Sequence, residues 1–105
     1  MPNWTDDARK YAWNSARSVA GWDSSVHRID LCGAIIQWNK YGDRQSPFGW
    51  EIDHIIPLSQ GGTNTFDNIQ ALQWENNAAK GGQVNWTCKV GRRVSDNGSI
   101  NVYLS

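Results

Sequence analysis

The residues from Glu51 to Gly82 constrain this 105-residue chain more than any others; they read E-I-D-H-I-I-P-L-S-Q-G-G-T-N-T-F-D-N-I-Q-A-L-Q-W-E-N-N-A-A-K-G-G. Trp50 to Leu58 is a β-compatible run ended by Pro57. Ser59 to Asn68 is a turn-rich loop containing Gly61-Gly62. Ile69 to Leu72 predicts a short strand returning across the first. Trp74 to Lys80 predicts a short helix stopped by Gly81-Gly82. The order strand, loop, strand, helix brings Asp53-His54 towards Asn77. A carboxylate beside a histidine, with a second oxygen donor returned by a helix, is the minimum equipment for metal-assisted hydrolysis.

Outside this stretch, Thr5 predicts a helix N-cap, with Asp6 and Asp7 in a first turn where the helix dipole favours anions. Ala8, Tyr11, Ala12, Ala16, Val19 and Ala20 continue at helical spacing, and Gly21 is the expected stop. Arg9, Lys10 and Arg17 read as a solvated face. Asp23 to Asp30 reads as a connector in which His27 takes no functional role. Leu31 to Trp38 is β-compatible with a turn at Cys32-Gly33, and Tyr41 to Gly49 is a loop. Val84 to Ser105 predicts a hairpin. Asn97-Gly98 would turn at positive φ, and the alternation of Ile100, Val102 and Leu104 predicts one buried face.

A chain of this length is expected to form one domain, residues 1–105, with residues 50–82 as its core motif. Its seven tryptophans supply much apolar area for so small a core. No run is long enough for a membrane span and no basic-then-apolar leader opens the sequence, so the expected location is cytoplasmic. Cys32 and Cys88 form no C-x-x-C pair, and without an export signal the reading favours two buried free thiols over a disulfide. Net charge is zero, yet Glu51 to Ala79 holds four acidic residues and no basic one, while Lys80 to Arg93 holds four basic residues and no acid. An acidic segment beside a basic one suits a divalent cation flanked by a phosphate track. Any one of these charges taken alone reads better as a solvated surface group.

Three fragments, D-H-I-I-P-L-S-x-G-G-x-N, D-N-I-Q-x-L and N-x-x-K-G, lie in order between Asp53 and Gly81. Together they resemble the HNH endonuclease family. The resemblance implies an α+β fold: a ββα-metal core, here with an N-terminal helix and a C-terminal β-hairpin. It implies His54 as the general base that activates water and Asp53 as a metal ligand. Asn68 would pin the loop and orient the histidine, and Asn77 would be the second protein ligand, with Asn76 as the alternative. Lys80 closes the motif as a helix-end charge or a phosphate contact. Many family members hold a structural zinc on two C-x-x-C pairs. Here Gln73 and Asn76 stand near the helix and only Cys32-Gly33 remains upstream, so a zinc-free form is implied, with tryptophan packing and the hairpin as expected substitutes.

The implied activity is hydrolysis of DNA phosphodiester bonds, duplex DNA being the expected partner and one divalent cation the cofactor: Mg²⁺, with Mn²⁺ or another divalent ion as alternatives. Lys80, Lys89, Arg92 and Arg93 are the candidate phosphate contacts. A histidine base contributes roughly a hundred- to ten-thousand-fold in such chemistry. The alternative is a non-catalytic nucleic-acid or protein-binding module that keeps the fold. One tension stands: neighbours on a regular strand point to opposite faces, so Asp53 and His54 can share a site only where the strand twists or ends.

Overall fold

The computed structural model describes residues 3–105. Helix α1 spans Asp6–Ser15, and the Thr5 hydroxyl accepts from the Ala8 amide at 3.1 Å, as the N-cap reading requires. The helix stops well short of Gly21. The Arg17 backbone is recruited into a two-way bridge with Ile29, at 2.9 Å in each direction. The Arg28 guanidinium closes the helix end by donating to the carbonyls of Ala16 and Asn14. The supposed connector 23–30 therefore contains a strand, β1 (His27–Ile29), paired antiparallel with β2 (Ile35–Gln37) across the Cys32-Gly33 turn.

Strand β3 (Trp50–His54) ends before Pro57 and pairs antiparallel with β4 (Ile69–Gln73), in a register that sets Trp50 opposite Gln73, Asp53 opposite Gln70 and His54 opposite Ile69. Helix α2 (Trp74–Lys80) follows β4 directly, and Gly81 takes φ 54° after its last residue. The core lies between α1 and this strand pair: Ala8, Ala12 and Trp13 meet Trp50, Ile52, Ile69 and Ala71. The indoles of Trp13 and Trp38 lie 5.3 and 5.8 Å from that of Trp50, the large aromatic contact that so short a chain needs. Among the described residues no helix is long and apolar enough to cross a membrane.

The chain closes with the hairpin β5 (Val90–Ser95) and β6 (Gly98–Tyr103). Ser95 pairs with Gly98 around a two-residue turn, and only Gly98, not Asn97, has positive φ. The expected buried face is largely absent: Ile100 and Leu104 are exposed. Burial is confined to the base of the hairpin, at Val90 and Gly91, and a polar side chain adds to the attachment there. Asn101 caps the edge of β2, its Oδ1 accepting from the Ile35 amide at 2.7 Å and its Nδ2 donating to the Ile35 carbonyl at 3.0 Å.

The two cysteines are not free. Cys32 and Cys88 form a disulfide with Cα atoms 5.7 Å apart, tying the β1–β2 turn to the segment before β5. Closing a loop of that size is worth about 4 kcal/mol on a chain-entropy estimate. Such cross-links persist in oxidising compartments, so the cytoplasmic expectation loses the free thiols that accompanied it. Beside the disulfide, Asp30 is 1 % exposed and accepts from the backbone amides of Cys32, Ala34 and Gln73 and from Asn76 Nδ2. Asn76 in turn accepts from the amides of Lys89 and Val90 at 2.8 Å each. Burial raises the carboxyl pKa of Asp30, and these hydrogen bonds oppose the rise. This network and the cross-link join the β1–β2 turn, the start of α2 and the segment before β5.

Candidate active site

Two periodicities build the site. On β3, Glu51 and Asp53 lie two apart and share a face. On α2, Asn77 and Lys80 lie three apart and share a side. The two sets interlock: Asn77 Nδ2 donates to Glu51 Oε1 at 2.8 Å, and Lys80 Nζ donates to Asp53 Oδ1 at 3.1 Å. Gln70, opposite Asp53 on β4, donates to its Oδ2 at 3.0 Å. Glu51 also accepts a two-pronged bond from Arg44, at 2.7 and 2.8 Å. Burial pushes the Glu51 carboxyl pKa upward, but the bonds from Arg44 and Asn77 and the guanidinium charge outweigh it, so the net shift is downward.

His54 is the last residue of β3, which resolves the strand-face tension: the site sits at the strand's end. Its Nε2 lies 3.0 Å from Asn64 Oδ1, and its ring centroid lies 5.0 Å from that of Trp4. Asn68 accepts from the Ile56 amide and donates to the carbonyls of Ile56 and Thr63, spanning the loop from within. The side-chain contact to the histidine comes instead from Asn64. Gly62 permits this compact loop, since a Cβ there would fall 1.8 Å from the Ile56 carbonyl oxygen. An open cavity of about 360 Å³ then brings together Asp53, His54, Asn77 and Lys80, walled by Trp4, Ile52, Pro57, Leu58 and Gly81.

The basic residues do not form one phosphate track. Lys80 is 1 % exposed, and its ammonium is taken up by Asp53 and by the His54 carbonyl at 2.8 Å, so its place is interior rather than phosphate-facing. Arg92 and Arg93 are neighbours on β5 and project to opposite sides of the hairpin. The Arg92 guanidinium lies 5.1 Å from the Trp22 ring centroid. Arg93 and Lys89 are exposed.

Among the described residues no group of three or more His, Cys, Asp or Glu side chains could hold a metal ion. What the cavity offers is one carboxylate, one amide oxygen and one imidazole. Asp53 keeps unused lone pairs beyond its bonds to Lys80 and Gln70, and Asn77 spends its NH₂ on Glu51 and keeps its oxygen. That set fits a hard, oxygen-seeking divalent ion.

Glu51, Asn64, Gln70 and Trp4 were not assigned roles from the sequence. Strand alternation from Asp53 points to Glu51, and Asn64 closes the first motif fragment. Gln70 follows only from the β3–β4 register, and nothing local marks Trp4.

In this small α+β fold, the end of a strand and a short helix bring a carboxylate, an imidazole and an amide to one cavity. A family model described as HNH endonuclease matches residues 36–83, from β2 to just past α2. Over that span the chain resembles the HNH endonuclease family, and the match points to a nuclease-type function on nucleic acid. No curated protein and no solved structure matches the chain significantly.

Proposed function

We propose that this protein is a metal-dependent endonuclease that hydrolyses DNA phosphodiester bonds at the cavity lined by Asp53, His54 and Asn77, within a ββα-metal core. The reading rests on one observation: Asp53, His54, Asn77 and Lys80, all inside the segment matched by the family model, line one cavity. Asp53 and Asn77 would hold a divalent cation, Mg²⁺ or Mn²⁺, which when bound supplies charge neutralisation for the phosphate. His54 takes the proton from the attacking water. With Nε2 engaged by Asn64, Nδ1 is the atom left to accept that proton. Asn68 holds the loop that carries Asn64. Lys80 braces the Asp53 carboxylate and the end of β3 from behind. Trp4 and Leu58 restrict water on the open side. Exposed Lys89 and Arg93 provide backbone contacts to duplex DNA, and Arg92, stacked on Trp22, serves from the other side of the hairpin.

The non-catalytic alternative draws on the Lys80–Asp53 ion pair, which satisfies the carboxylate without a metal. A plasmid-nicking assay with Mg²⁺ separates the two. The nuclease reading expects cleavage by the wild type and loss of about a hundredfold or more in His54→Ala. Equal DNA binding by both proteins without cleavage by either establishes the binding module.

A further inference from the structure

An asparagine amide can present either its oxygen or its NH₂ to a cavity, and only the oxygen ligates a cation. In this fold the choice is made from behind. Glu51 is 1 % exposed, and its Oε1 accepts from Asn77 Nδ2 at 2.8 Å, so the NH₂ of Asn77 is turned towards Glu51. Glu51 cannot swing away, because Arg44 grips both its oxygens. The oxygen of Asn77 is thereby the atom left for the cavity that Asn77 lines. We propose that the Arg44–Glu51 pair is a positioning device that selects the ligating atom of Asn77. Neither residue lines the cavity. The inference rests on the reading of Asn77 as a metal ligand.

Glu51 lies on the face of β3 that it shares with Asp53, turned towards α2, while Trp50 and Ile52 on the other face join the core. Its place in β3 is fixed by the helix side chain it must meet. Reversing the Asn77 amide would press its oxygen against a buried carboxylate and leave a charge-assisted hydrogen bond unmade.

The test is Mn²⁺ binding to the intact protein by titration calorimetry, on variants shown to fold by circular dichroism. Glu51→Gln keeps a carbonyl acceptor for Asn77 and should bind Mn²⁺ within about twofold of wild type, although it loses stability with the Arg44 pair. Glu51→Met removes the acceptor, and affinity should fall about tenfold, the low end for loss of a group that orients a metal ligand. In an Asn77→Asp background, where either side-chain oxygen can ligate, Glu51→Met should cost no affinity. The proposal is overturned if Glu51→Met binds Mn²⁺ as wild type does, or if its loss persists undiminished with Asp at position 77. The ligand reading is tested separately by Asn77→Leu. If that variant binds Mn²⁺ as tightly as wild type, Asn77 is not a ligand and the proposal goes with it. Should Glu51→Met fail to fold, Arg44→Met, whose side chain is half exposed, carries the test. Freed from its clamp, Glu51 should orient Asn77 less well and weaken binding, and unchanged affinity overturns the role given to Arg44.

Discussion

Asn76 and Asn77 are identical side chains one residue apart on α2, and their circumstances are opposite. Asn76 is wholly buried and saturated: it donates to Asp30 and to the Val90 carbonyl and accepts from the amides of Lys89 and Val90. Asn77 is half buried, gives one bond to Glu51 and lines the cavity. A polar side chain with every valence spent inside the protein holds the fold. One with an oxygen to spare beside a cavity is available to a ligand. The motif text could not settle which asparagine was which beyond the interval to Lys80; hydrogen-bond accounting separates them.

The contrast is broken or sharpened by substitution. Asn76→Leu should cost the most stability, about 3–5 kcal/mol, because it strands buried Asp30 and two backbone amides; Asn77→Leu should cost about 1–2 kcal/mol, since Glu51 keeps both bonds from Arg44. Thermal melts of the pair decide it, and equal losses would erase the distinction. Reduction of Cys32–Cys88 should come next, lowering stability by up to about 4 kcal/mol, measured as the shift in denaturation midpoint with and without reductant. It should leave Mn²⁺ binding by the folded protein intact, since the cross-link belongs to the Asn76 side of the helix. Gly62→Ala should cost about 2 kcal/mol through displacement of the loop pinned by Asn68, and chemical-shift changes should centre on Asn64 and His54.

The smallest effect concerns pH. The Glu51 carboxyl titrates below its ordinary value in the folded protein. Its contribution to stability is therefore present above the unfolded-state value and lost as pH falls through the folded one. The gap in melting temperature between wild type and Glu51→Gln should be open near neutrality and close in acid. A gap that widens in acid contradicts the sign.

Much of the site was legible because it is local. Asp53, His54, Asn68, Asn77 and Lys80 fall within one strand, loop, strand and helix, and two short periods bring them together. Helix α2 and the Thr5 cap were legible for the same reason, since side chains within one turn determine them. What escaped the sequence was long-range. Cys32 and Cys88 are 56 residues apart, and no spacing rule pairs two isolated cysteines. Strand β1 exists through pairing with β2 and the Arg17 bridge, not through the propensity of His27-Arg28-Ile29. The alternation in β6 promised a buried face, but nothing packs over Ile100. Lys80 reads as an exposed helix-end charge until the depth of Asp53 is known.

Single-turnover cleavage of a duplex with Mg²⁺ shows whether Asp53, His54 and Asn77 act together as one hydrolytic site. Wild type should cleave, while His54→Ala should fold, bind the duplex with similar affinity and cut at least about a hundredfold more slowly. Cleavage by His54→Ala at the wild-type rate would contradict the account.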